Sequence, residues 1–440
     1  MLTKIVISFF LLLYFLLRII LSPFIFVANF VVPFFKKRQA FERKNLTTDA
    51  ARSFRLDGQV ADVQFEVSSE GELEQVRPLL TDLLLNKAKV EVVYFSESLE
   101  NAITRLITQY PENLRVLRFP ILTLSPWRRA LNHTRWSSAK TLVLCRYDFF
   151  PELIFYGMFM AKRFVLASAT VRSTRTFNPR VYLFSLFDLI IAPLSLETKM
   201  LQEFAPSAEI MNLDFRVLQV QGRLKVAGEA LKKRIPLFTE LKNLLSQYPM
   251  QNRLMLGSFW PHEAALFTPE LQKEIQSKQL LVMICPHRLD AEAMSELYAT
   301  LKKIINTQIP VVEITEKSQV SAAQMSGAIL ILNMKGVLVE MYTEFGHAYV
   351  GGGFGRSVHS VLEPYLAGCL VYCGPKNHRS TEFTLIQETS PELICQLDDL
   401  GELYDRMKKK SYVQKNLARE NLQLRMSVQY SQMQENTWWK

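Results

Sequence analysis

Apolar and polar positions fall into two regimes along this chain. From Ile5 to Phe35 nearly every position is apolar, interrupted by Arg18 and Pro23. A bilayer-spanning helix needs ~20 apolar residues. Ile5 to Leu17 is too short alone, but Arg18 can snorkel toward an interface. No small-x-small cleavage site follows, so the stretch reads as an uncleaved anchor, spanning or lying in the interface. Residues 45–58 are polar and read as a linker. Then Val63, Phe65 and Val67 alternate with Asp62, Gln64 and Glu66, a strand at period two. Leu73, Val76, Leu79, Leu80 and Leu83 recur at helical spacing. Short apolar strands alternate with helices from there on, with strands at 90–95, 114–119, 141–145, 164–167 and 189–192. The polar, basic stretch Asn212 to Lys233 reads as an interdomain connection. A second series follows, with strands at 254–256, 281–284, 311–314, 329–332, 348–350 and 370–372. Such βαβα order predicts an α/β protein with two Rossmann-like, doubly wound parallel sheets. The expected domains are an anchor at 1–35, an α/β domain at 36–212, a connection at 213–233, a second α/β domain at 234–410 and a helical tail at 411–440.

Charge adds a surface to the anchor. The formal net charge is +10. Before residue 45, Lys4, Arg18, Lys36, Lys37, Arg38, Arg43 and Lys44 stand against the single acid Glu42, so over half of that charge lies beside the apolar segment. This favours an anionic membrane surface over nucleic acid as partner. Positive-inside topology alone accounts for the same cluster, and it places the following domain in the cytoplasm. Cys145, Cys285, Cys369, Cys373 and Cys395 have neither zinc-ligand spacing nor a disulfide framework, which fits buried thiols in a reducing compartment. There is no Asp-x-Asp pair of the kind that holds a divalent ion on a nucleotide diphosphate.

Candidate chemistry collects where strands end. In open α/β sheets, ligands sit beyond the carboxyl ends of strands, and helix N-termini favour anions. The first strand runs into Ser68-Ser69-Glu70-Gly71-Glu72, which sets Glu72 at or near a helix N-terminus. The strand at 348–350 runs into Gly351-Gly352-Gly353, followed by His359, Ser360 and a helix carrying Glu363. Three successive glycines suit a sharp turn or a close approach of backbone to ligand. From the residues alone, Glu72 fits equally a carboxylate offsetting the helix dipole or a general base. His359 fits a loop-bonding residue or a ligand contact. Glu363 in an apolar helix needs a partner, such as a ribose hydroxyl.

Two Rossmann-like halves with polar strand ends resemble a GT-B glycosyltransferase, in which the halves face a cleft. The motifs, taken in order, resemble the 3-deoxy-D-manno-octulosonic acid (Kdo) transferases, which act on the lipid A precursor. Ser69-Glu70-Gly71-Glu72 is similar to their serine-x-glycine-glutamate element. Arg146 to Leu153 is similar to "E-T-E-L-W-P-N-L", Gly257 to Pro261 to "G-S-T-W-P", and Pro286-His287 to "P-R-H" or "P-H". Asn333 to Tyr342 resembles "D-T-M-G-E-L…Y", and Ala348 to Pro375 resembles "A-F-V-G-G-S…G-G-H-N-P-L-E-A" followed by "G-P". Order and spacing hold from about residue 60 to 385, and the apolar N-terminus fits as well.

The resemblance implies transfer of Kdo from CMP-Kdo to a lipid A precursor at the cytoplasmic face of the bacterial inner membrane, by metal-independent inverting displacement and with no cofactor. It implies Glu72 as general base, with Ser69, Gly71 and Asp148 toward the acceptor. It implies Ser258, Pro286, His287, Arg288, Gly336, Gly352, Gly353, His359, Ser360 and Glu363 toward the donor. The chain departs from the pattern at Arg146 and Asp148, where the family has glutamates, at Val337, also a family glutamate, and at Ser360, a family asparagine. Alternatives are a GT-B transferase with another nucleotide sugar or lipid acceptor, or a non-catalytic membrane-bound homologue.

Overall fold

The computed structural model describes residues 2–47, 59–123, 128–146, 148–171, 179–378, 380–410, 412, 416–435 and 438–439. Most of the 45–58 linker, together with Tyr147, Arg172 and Ser173, lies outside them. The chain forms two compact units, one of Met1–Arg216 with Met426–Lys440, the other of Val217–Arg425.

The first unit holds strands β1 (Val63–Val67), β2 (Val90–Tyr94), β3 (Leu114–Arg118), β4 (Thr141–Cys145), β5 (Arg163–Ala167), β6 (Leu189–Ala192) and β7 (Glu209–Asn212). They form a parallel sheet in the order β3-β2-β1-β4-β5-β6-β7. The second unit holds β8 (Arg253–Phe259), β9 (Leu281–Pro286), β10 (Val311–Ile314), β11 (Ile329–Leu332), β12 (His347–Val350), β13 (Leu370–Cys373) and β14 (Ile394–Gln396). Their order is β10-β11-β9-β8-β12-β13-β14, again parallel. The expected α/β class with two doubly wound sheets is borne out. Parallel sheets are covered on both faces, which is why their strands read as apolar runs such as Leu330-Ile331-Leu332. In each sheet the strand order reverses once, between β1 and β4 in the first and between β8 and β12 in the second.

At the N-terminus, helix α1 (Leu2–Val31) continues through Pro23 as one element. Thr3–Val31 is long and apolar enough to cross a membrane, and most of its large side chains are exposed. Arg18 does not snorkel. It is buried and paired with Glu152 on the helix Pro151–Phe159, with the Tyr14 hydroxyl joining both. Helix α2 (Pro33–Arg43) docks through Arg38, which donates to the Phe119 carbonyl at 2.6 Å, and through Glu42, which accepts the Leu122 and Thr123 amides at 2.9 and 2.8 Å. Part of the cationic cluster therefore serves packing. The stretch expected as a connection is helical, at Phe215–Lys225 and Ala227–Arg234. All five cysteines are free thiols, four of them buried.

Candidate active site

In the first unit, the strand reversal lies beside the ends of β1 and β4, and so do Glu72, Arg146 and Asp148. Helix α3 (Glu70–Leu85) starts here because Ser69 caps it, accepting the Glu72 amide. Its apolar face, Leu73, Val76, Leu79, Leu80 and Leu83, is buried as the spacing requires. That packing turns Glu72 inward, to 9% exposure. Its Oε2 accepts the Ser68 amide at 2.8 Å. Burial raises the Glu72 pKa; the Ser68 amide opposes the rise, Asp148 adds to it and Arg146 opposes it. A carboxylate held this way is a stronger base than a solvated one. Ser69 acts as a cap, and Gly71 is exposed with nothing within 4 Å of where a Cβ would stand. Arg146 is held at φ +63, with its buried Nε unpartnered among the described residues.

Sequence reasoning missed Glu66. It projects from β1 at 2% exposure beside Glu72 and Asp148, and burial raises its pKa well above the usual carboxylate range. The available signal was a charged residue inside a central parallel strand.

The second unit builds its site at the ends of β8 and β12. The ladder between β8 and β9 slips between Gly257 and Phe259, and Ser258 takes φ +51. Trp260 stacks on His287 with ring centroids 4.4 Å apart, and His287 stacks on His359 at 4.2 Å. Trp260 and Glu263 were not singled out from sequence, yet both organise the site. Glu263 is fully buried and accepts the Tyr349 hydroxyl and the Gly352 amide, each at 2.8 Å, and the Trp260 amide at 3.0 Å. It thus ties the glycine loop to the Trp260 turn. Gly352 sits at φ +91, where a Cβ would collide with the Ser357 carbonyl oxygen and press on the His359 ring. A Cβ at Gly353 would meet the Gly374 backbone at 2.6 Å.

Burial, then the His287 beside it, lowers the His359 pKa to about 4. Burial and Arg288 lower that of His287. His359 and Ser360 lie in the loop before the helix Leu362–Ala367, rather than on it, and the His359 amide donates to the Gly351 carbonyl at 3.1 Å. Glu363 is on that helix. Its carboxylate takes no hydrogen bond from a described residue, and burial, with Glu382 and Glu340 nearby and Arg223 opposing, raises its pKa to about 7.

Pro286 ends β9, one residue before His287. Arg288 pairs with Asp290 at 2.9 Å, with both side chains about half exposed. Gly336 has φ +70, and Arg234 and Arg223 donate to its carbonyl. Its carbonyl is therefore taken up by protein.

No family model matches the chain, and no curated protein matches it. Solved structures do. HepE from Anabaena in complex with UDP is 11% identical with a TM-score of 0.50, covering 85% of this chain and 99% of its own. UDP-GlcNAc 2-epimerase from Neisseria meningitidis is 13% identical with a TM-score of 0.48, covering 79% and 91%. The C-terminal CMP-Kdo binding domain of WaaA from Acinetobacter baumannii is 15% identical with a TM-score of 0.33, covering 48% and 97%. Two parallel seven-stranded sheets with these topologies give the chain the GT-B glycosyltransferase fold.

Proposed function

We propose that the chain is a glycosyltransferase that moves Kdo from CMP-Kdo to a lipid A precursor at the cytoplasmic face of the bacterial inner membrane. The reading rests on the ordered set of motifs and on the fold. The observation that carries it is Glu72, a largely buried carboxylate at the strand reversal of the first unit, with a raised pKa and one oxygen already oriented by the Ser68 amide. Glu72 takes the proton of the acceptor hydroxyl. The freed oxygen attacks the anomeric carbon of Kdo, the bond from that carbon to the CMP phosphate oxygen breaks, and CMP leaves with inversion. General-base catalysis of this kind contributes ~10²–10⁴-fold.

CMP-Kdo carries a single phosphate, so the leaving group develops modest charge, which the amides of the glycine loop and helix N-termini can stabilise without a metal ion. In this reading Ser258, Pro286, His287, Gly336, Gly352, Gly353, His359 and Ser360 hold the nucleotide, Glu363 takes a ribose hydroxyl, Arg288 supplies distant positive charge, and Ser69, Gly71 and Asp148 border the acceptor. Apolar helix α1 keeps the first unit at the lipid surface.

Arg146 favours a second reading, a different anionic lipid acceptor, because its buried Nε is unpartnered among the described residues. Incubating the purified chain with CMP-Kdo and lipid A precursor, with mass analysis of the lipid, tests the proposal. A product heavier by Kdo supports it, and an unchanged lipid with donor intact overturns it. Transfer to another lipid only selects the second reading.

A further inference from the structure

Strand β1 is paired on both edges, with β2 and with β4, and all five of its residues are buried. Glu66 is buried among them, at 2% exposure. Its Oε1 accepts the Ser68 hydroxyl at 3.0 Å, and its Oε2 has no hydrogen-bond partner among the described residues. The titratable groups around it are Glu72 from α3 and Cys145, Arg146 and Asp148 at and beyond the end of β4. Two of these are carboxylates. An ionised Glu66 would be a buried charge beside two other carboxyl groups, with one oxygen left unpartnered among the described residues, which is a costly state. Ser68 links the group: its hydroxyl donates to Glu66 and its backbone amide to Glu72, at 3.0 and 2.8 Å.

We propose that Glu66 is a positioning residue of this site, a neutral carboxylic acid that fixes the Ser68 hydroxyl and so holds the Ser68 amide against Glu72. The positioning role rests on the reading of Glu72 as base. Because Glu66 keeps its proton, it adds no repulsion to Glu72, whose charge is balanced locally by the Ser68 amide and Arg146. Without Glu66, the Ser68 hydroxyl loses its acceptor and the amide loses its fixed direction. Small displacements of a catalytic group cost large factors in rate.

Two readouts on the full chain in detergent test this. In infrared spectra at pH 7, the wild type minus Glu66→Gln difference should show the carbonyl band of a protonated carboxyl, and the band should persist in Glu72→Gln. In kinetics, Glu66→Leu and Ser68→Ala should each lower kcat by about 10-fold at unchanged KM. The double variant should fall no further than either single, since both act through one contact. Glu66→Gln should recover most of the loss, because its amide still accepts from Ser68. Ser68→Ala leaves no buried charge behind, so it reports even if Glu66→Leu fails to fold. A Glu66→Gln loss as deep as that of Glu72→Gln, or unchanged kcat in Ser68→Ala, overturns the positioning role. A missing infrared band overturns the neutral acid alone. Absence of any transfer by the wild type overturns the base reading and the positioning role with it.

Discussion

The indole N–H of Trp260 lies 3.3 Å from Nε2 of His359, and the His287 ring stacks against both of them. With Trp260 donating, Nε2 is the acceptor nitrogen and the proton of the neutral ring is on Nδ1. The pair links β8's exit to the glycine loop, so it orders both sides of the second unit's site.

The pH dependence of that pair follows in sign. The folded-state pKa of His359 is depressed, to about 4 from 6.5. Its contribution to stability is full above the unfolded value and is lost as pH falls from 6.5 toward 4. A thermal-unfolding series across pH 4–8 should show a Tm decline below pH 6.5 that is smaller in His359→Phe, whose ring cannot take up a proton. An identical decline in both proteins would contradict the assignment.

Glu363 has the opposite sign. It is an acid with a raised folded pKa, about 7, so the native state holds its proton while the unfolded chain loses it. Stability falls as pH rises from 4.5 to 7 and then levels. Glu363→Gln removes the titration and should be more stable than wild type above pH 7 by on the order of 1–3 kcal/mol, with no gain below pH 4.5. Denaturant midpoints at pH 4.5 and 8 check it. CMP affinity should fall in the same variant if Glu363 takes a ribose hydroxyl.

Two glycines singled out from sequence should respond differently. Gly352→Ala forces a Cβ into the Ser357 carbonyl oxygen at φ +91 and should cost roughly 1–3 kcal/mol in strain, with loss of nucleotide binding. Gly71→Ala meets nothing within 4 Å and should leave the unfolding midpoint unchanged. Thermal shift with and without CMP separates the two.

Arg18 and Glu152 form a buried ion pair, with side chains 9% and 6% exposed. Arg18→Ala strands the Glu152 charge and should cost about 3–5 kcal/mol, whereas the Arg18→Met, Glu152→Gln double variant should cost markedly less. Detergent-phase unfolding of the three proteins measures the difference.

How much of this was legible follows from the kind of signal. The two sheets were, because parallel strands leave long apolar runs and α3 leaves a clear apolar period. The glycine loop was, because three glycines have few other uses. Glu66 was passed over because alternation along β1 reads as one wet face, whereas pairing on both edges and cover on both faces bury it. Arg18 was misplaced because a cation in an apolar run points to an interface, and its acid partner lies 134 residues away. The helices Phe215–Lys225 and Ala227–Arg234 were read as a connection because polarity masked their period. Their role in holding Gly336 through Arg223 and Arg234 is a tertiary fact with no local trace.

The central claim is that Glu72 deprotonates the acceptor. Its direct measurement is single-turnover transfer from CMP-Kdo to lipid A precursor by wild type and Glu72→Gln, with CMP thermal shift to confirm folding and donor binding. The account predicts a kcat loss of ~10²–10⁴-fold with the CMP shift intact. A Glu72→Gln protein that transfers at the wild-type rate would contradict it.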